Sequence, residues 1–226
     1  MVTLDVTIGQ TDVEVNSGDV STGIISASSD AYEVRLKAEH FWESELGAYF
    51  SGTIGSADEI DGPGTTLDSG GGFLALSYRA TMSDTFRMPV RFGPFLHTSD
   101  LEGPVGGVPT TITRDLIGVR LSAEPEYIIF QHDNGGKLSE MTVFAEINCG
   151  AGPTSTESGT LDEDGYAFTL GWELGVRYKL PMGLLAGLSF LSRKIHYGAT
   201  ESYNSGVFFG VDEDFIGVCI TAGARF

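Results

Sequence analysis

Residues 166 to 180 read Tyr-Ala-Phe-Thr-Leu-Gly-Trp-Glu-Leu-Gly-Val-Arg-Tyr-Lys-Leu, and every even position is a large apolar side chain. The odd positions (Ala167, Thr169, Gly171, Glu173, Gly175, Arg177, Lys179) are small, polar or charged. A period of two is a β-strand with two chemically different faces. From Tyr166 to Tyr178 such a strand runs about 40 Å at ~3.3 Å per residue. Tilted by about 40°, it covers roughly 30 Å of a barrel axis, close to the ~25 Å apolar band of a membrane-spanning barrel. Strands of soluble domains are mostly about 5–6 residues long.

The same two-faced pattern recurs in segments 2–8, 32–38, 46–54, 74–82, 88–96, 115–130, 141–149, 184–197 and 214–226. With 166–180 they make ten strands; eight and twelve are the alternatives. Within 88–96, Pro94 weakens the ladder or marks a bulge. Within 184–197, the alternation of Leu184, Leu188 and Phe190 loses phase near Ser192, which predicts a bulge there. Short connections (42–45, 83–87, 181–183) and a longer one at 131–139 fall at one end. Long loops (16–30, 58–71, 98–112, 151–164, 198–214) fall at the other. An even number of strands with this asymmetry predicts an all-β fold: a membrane-spanning antiparallel up-and-down barrel. It would be one domain over 1–226, with both termini at the short-turn, periplasmic end.

Composition agrees. Charged residues are 19% of the chain, below the ~25% usual in soluble domains. No apolar run of about 18 residues is present, which excludes a transmembrane helix but not a barrel. Cys149 and Cys219 fall on strands separated by two others, too far apart for a disulfide. Met1 leads straight into an alternating segment without a basic and apolar leader, as expected of a mature exported sequence with an added start methionine.

Alternation alone does not say which face points outward, since a soluble lipocalin-like barrel is apolar inside. Strand length argues for the membrane. So does the abundance of glycine on the polar face (Gly47, Gly93, Gly118, Gly171, Gly175, Gly217, Gly223), which suits a crowded lumen. Aromatic residues near strand ends, such as Tyr166 and Tyr178, suit an interfacial girdle. The last strand carries Val218, Ile220, Ala222 and Ala224 on one face and ends on Phe226. It resembles the C-terminal assembly signal of bacterial outer-membrane β-barrel proteins, with Ala224 where that family often has a second aromatic. The resemblance implies a porin-like protein of the Gram-negative outer membrane. Its partners would be outer-membrane lipid, lipopolysaccharide and, during biogenesis, the barrel-assembly machinery.

Net charge is −18, which argues against nucleic acid as a partner. The five long loops hold sixteen acidic residues and no Lys or Arg. Basic residues fall on the predicted inward face: Arg35, Lys37, Arg79, Arg91, Arg120, Arg177, Lys179 and Arg225. Asp5, Glu33, Glu39, Glu124, Glu126, Glu146 and Glu173 share it. Mixed charges in a narrow lumen should pair, because an unpaired buried charge costs several kcal/mol. No cofactor is called for, but Asp162, Asp164, Asp212 and Asp214 sit in two acidic triplets that suit Ca²⁺ or Mg²⁺ at the rim. Such a rim would also hold lipopolysaccharide phosphates through bridging cations. Omptin proteases and lipid A-modifying enzymes are barrels of this size. Here His97 with Asp100, or His196 with Glu201, would form a base and its orienting acid, yet no nucleophile stands at a recognisable spacing. The reading is a non-enzymatic barrel with a charge-filled lumen and a structural or surface-interaction role. A narrow pore or small-ligand conduit is the alternative, and a rim hydrolase a third.

Overall fold

The computed structural model describes residues 1–17, 25–42, 45–58, 64–105, 108–133, 138–158, 161–198 and 209–224, with backbone alone at 14–17, 25–27, 104–105, 108–110, 158, 161–163 and 209–211. Among these residues there are eleven strands and no helix. They are β1 (Val2–Ser17), β2 (Ile25–Phe41), β3 (Leu46–Asp58), β4 (Thr66–Ser83), β5 (Phe86–Val105), β6 (Val108–Ala123), β7 (Glu126–Asp133), β8 (Leu138–Ser158), β9 (Leu161–Lys179), β10 (Leu184–Tyr197) and β11 (Phe209–Ala224). Each pairs antiparallel with its neighbour, and β1 pairs with β11, which closes the sheet. Strands β6 and β7 occupy one position in the wall. Ala123 faces Ile147 and Glu126 faces Phe144 on β8, so the register passes unshifted through Glu124-Pro125. Pro125 has no N–H to continue the ladder. The wall is therefore ten strands round, as the alternating segments predict.

The apolar face points outward. Ile8, Leu76 and Tyr166 are 69%, 70% and 75% exposed, whereas Thr7, Ser77 and Ala167 beside them are buried. Trp42, Tyr78, Tyr127 and Tyr178 are exposed toward the end that holds the termini, and Tyr32 and Tyr166 at the opposite edge of the belt. Such a continuous apolar exterior is far larger than water tolerates on a soluble protein. A bilayer is the medium that covers it. Cys149 faces outward on β8 while Cys219 is buried in the lumen on β11, and both are free.

Strand lengths differ from expectation. Two of the acidic stretches read as long loops, 98–112 and 151–164, are largely strand: β5 and β6 pair as far as Val105 with Val108, and β8 and β9 as far as Ser158 with Leu161. A 20-residue strand such as β5 rises about 50 Å when tilted by about 40°, roughly twice the apolar band. The cause of the misreading is physical. Above the belt the two faces exchange character. Outward positions become polar at Gln10, Asp30, Ser56, Asp68, Thr98, Asp115, Ser155, Asp164, Ser192 and Asp214. Inward positions there become apolar: Val13, Ala31, Ala57, Leu67, Leu101, Leu116, Ile195, Tyr197 and Phe215 form one buried cluster. The boundary follows the ladder, with Thr98 opposite Asp115, Asp115 opposite Ser155 and Ser155 opposite Asp164. A strand that passes from lipid into water must make this exchange, and a search for one fixed apolar parity ends there.

The expected bulge near Ser192 is absent for the same reason. β10 pairs with β9 and with β11 in unbroken register from Leu185 to Tyr197. What changes at Ser192 is hydrophobicity, not geometry: Leu191, Ile195 and Tyr197 point inward, Lys194 and His196 outward. Register shifts occur instead at Thr81–Ser83 and Ile128–Phe130. Pro94 leaves a gap in the β4–β5 ladder without shifting it.

The height of the belt is testable by arginine substitution. Leu76→Arg, on the lipid face near mid-belt, should cost about 2–4 kcal/mol in the denaturant unfolding of vesicle-reconstituted protein. Gln10→Arg, one outward position above Ile8 and opposite Asp30, should change stability by no more than about 0.5 kcal/mol. Equal costs at the two sites would move the bilayer boundary.

Candidate functional site

The lumen holds stacked layers of paired charge. Neighbouring strands bring inward residues of alternate parity to one height, so carboxylates and cations far apart in sequence meet. In the middle layer the Arg35 guanidinium lies 3.0 Å from Asp5 and 2.7 Å from Glu173. The Lys37 ammonium lies 3.3 Å from both carboxylates and 3.6 Å from Glu146. Ser189 donates to Glu173 and Ser122 to Glu146. Asp5, Glu173 and Cys219 have ligand atoms close enough to hold a metal, but Arg35 and Lys37 supply the positive charge to those carboxylates.

Nearer the termini, Arg91 is 2% exposed and grips Glu39 with two nitrogens, at 2.9 and 3.1 Å. Its third nitrogen donates to Glu124 at 2.7 Å. Arg177 pairs with Glu124 and, at 3.2 Å, with Glu126. Arg87 closes this end with Glu140 at 2.5 Å and Glu126 at 3.4 Å. Aromatic faces fill what the carboxylates leave open: Arg91 lies over Tyr49, Arg177 over Phe144 and Arg79 over Phe41. Each such contact adds about 0.5–2 kcal/mol of cation–π attraction. A cavity of about 210 Å³ opens at this mouth, lined by Arg79, Arg87, Arg177 and Lys179 together with Glu39, Glu126 and Glu140.

Above the middle layer, Arg193 pairs with Glu33 at 2.6 Å. Arg120 lies over Phe95 and Phe73 at 4.4 and 5.5 Å and lines an internal cavity of about 60 Å³ shared with Glu146. Higher still, inside the apolar cluster, the fully buried Arg114 is 3.0 Å from Glu213. Ser99 donates to Glu213 at 2.7 Å, and His97 is 3.7 Å from it.

Of the lumen residues named from sequence, Glu33, Arg35, Lys37, Glu39, Arg91, Glu146, Glu173 and Arg177 stand in these ion pairs. Arg79 and Arg120 are stacked on aromatic rings. Arg225 and Phe226 lie outside the described residues. Val218, Ile220 and Ala224 share the outward face of β11. Arg87, Arg114, Glu140, Arg193 and Glu213 were missed. Their signal was parity: Arg193 continues the inward odd positions of β10, and Glu213 those of β11, past the height at which apolar alternation fails.

Of the two acidic triplets, the structure describes the side chains of Asp164, Asp212, Glu213 and Asp214. Alternation splits Asp212-Glu213-Asp214, sending Glu213 to Arg114 and the two aspartates outward, where Lys194 stands 3.6 and 3.2 Å from them. His196 pairs with Asp212; Glu201 lies outside the described residues. Asp212 is level with Phe168 through His196, four residues below Asp164. That places the two roughly 16 Å apart. The Asp162 side chain is outside the described set.

No family model and no curated protein sequence matches the chain. Solved structures do. The outer-membrane protease OmpT from Escherichia coli superposes with a TM-score of 0.53 at 7% identity, over 99% of this chain and 96% of that one. The transport unit of the autotransporter AIDA-I from Escherichia coli gives 0.46 at 8% identity, over 100% and 90%. Neisserial surface protein A gives 0.33 at 13%, over 99% and 97%. The chain has the closed β-barrel fold of Gram-negative outer-membrane proteins, and its belt matches that location.

Arg91 offers the sharpest test of the lumen. Arg91→Met removes the buried cation that Glu39 and Glu124 share and should cost about 3–5 kcal/mol in unfolding. Lys194→Met, on the exposed face, should cost under about 1 kcal/mol. Comparable losses at the two positions would mean that the lumen charges are solvated.

Proposed function

We propose that the protein is a closed, non-conducting outer-membrane barrel that acts through its outer wall and its acidic end, in a structural or surface-interaction role. One observation carries this reading: the lumen above the ion-paired layers is filled by apolar side chains from strands all round the wall, among them Val13, Ala57, Leu67, Leu101, Leu116, Ile195 and Phe215. An ion crossing there would leave water among apolar side chains, beside an Arg114–Glu213 pair whose charges already offset each other. Bilayer lipid is the partner the belt calls for.

The histidines support a non-catalytic reading. Ser99 is buried beside His97 and Glu213, and the His196–Asp212 pair faces outward on the wall rather than into the lumen. The name of OmpT says protease, but a likeness at 7% identity concerns the fold.

Planar-bilayer recording separates this role from a conduit. Purified, folded protein should insert without steps of conductance in concentrated salt. Stable unitary conductance, with ion selectivity altered by Glu33→Gln, would establish the narrow pore instead.

A further inference from the structure

The outer wall carries a groove along β8. Its outward residues at the acidic end are small: Cys149, Ala151, Pro153 and Ser155. Strands β6 and β9 flank it with large ones. In register, Val119 and Phe168 stand either side of Ala151, and Tyr166 stands beside Pro153. Ile117 forms the other wall at that height and is 66% exposed. The β6–β8 ladder is open between Leu116–Thr154 and Val119–Ala151 without a change of register. Pro153 has no N–H to donate. Gly152 lets the backbones close: a Cβ there would sit 2.1 Å from the Ile117 carbonyl oxygen. A cavity of about 420 Å³ results, open to the outside.

The groove crosses the boundary of the belt. The row of small outward residues from Cys149 to Ser155 runs about 20 Å, and the cavity occupies its upper part, from Ile117, Pro153 and Tyr166 up to Asp115 and Asp164. Asp115, Ser155 and Asp164 form the last row, in direct register across the three strands. Both aspartates line the cavity and are exposed. Thr98 holds Asp115 in place through a hydrogen bond of 2.6 Å. The outward basic groups on β10, Lys194 and His196, stand level with Leu170 and Phe168 on β9, below this row, and are taken by Asp212 and Asp214.

We infer that this groove is a lipid site that selects an amine-bearing head group, with one acyl chain lying along Ala151 and Pro153 and the ammonium between Asp115 and Asp164. The occupant follows from position and charge. The lower groove faces hydrocarbon, so an acyl chain is what fills it. Two carboxylates at head-group height repel a phosphate that carries no cation of its own and attract a primary ammonium, which can donate to both. The site lies outside the lumen and does not depend on whether the barrel conducts.

Native mass spectrometry of the folded protein tests it, released from micelles that contain dimyristoylphosphatidylethanolamine and dimyristoylphosphatidylglycerol in equal amounts. The aminolipid adduct should dominate roughly three- to tenfold, the scale of two exposed charge contacts. Asp115→Asn with Asp164→Asn should abolish the preference while a lipid adduct remains. Ala151→Phe, on the lipid face, should fill the groove and remove the retained adduct, with the boiling-dependent gel shift confirming that the barrel is folded. Equal adducts in the wild type, or a preference that survives the double substitution, would overturn the inference. So would a dimer peak lost in Ala151→Phe without any lipid preference, which would assign the groove to a second copy of the chain.

Discussion

A residue in a barrel wall has two directions open to it, in or out, and its neighbours in the chain must take the other. That alternation is rigid, because a slip by one residue turns every side chain to the wrong face. This chain applies it to two media at two heights. Within the belt the outward parity is apolar and the inward parity polar; above it the assignment reverses while the hydrogen-bonded ladder continues. The result joins two kinds of barrel end to end, one solvated by lipid and one packed around an apolar core.

The interior follows from this join. Beneath the core, most lumen charges are buried away from bulk water, so the sequence supplies partners. Arg91 and Arg177 share Glu124, and Arg35 and Lys37 share Glu173. Rings of Tyr49 and Phe144 cover guanidinium faces that carboxylates do not reach. Small residues at lumen positions make room for these groups: at Gly175 an added Cβ would meet Ser189 at 2.4 Å. Removing one member of such a network leaves another uncompensated, which is why its worth lies in completeness more than in any one pair.

Much of this was legible from residue order. Outward Leu4, Leu76 and Trp172 announce the belt by period alone, and inward Arg35, Lys37 and Glu173 announce a charged lumen. Legibility failed at one height. Glu213 and Arg193 continue the parity of their strands, but the apolar signal that marked those strands had already changed sides, so Glu213 looked like part of a loop and Ser192 like a bulge. The failure is one of reference, since hydrophobic alternation reports the medium as well as the backbone. The groove on β8 was invisible for another reason. Small residues at Ala151 and Pro153 acquire meaning only beside Phe168 and Tyr166, and which strands flank β8 at which register is a property of the closed sheet.

The extension of the strands beyond the belt also decides how the molecule meets its surroundings. Where β5 and β6 or β8 and β9 pair to within two residues of each other, the projecting part is ladder rather than loop. Protease cleavage needs a segment that can unfold locally into an extended substrate, and paired strands over an apolar core open far more rarely than free loops. Protease added to the reconstituted barrel would leave this rampart whole. An antibody against it would read side chains drawn from adjacent strands, a surface that no linear peptide reproduces.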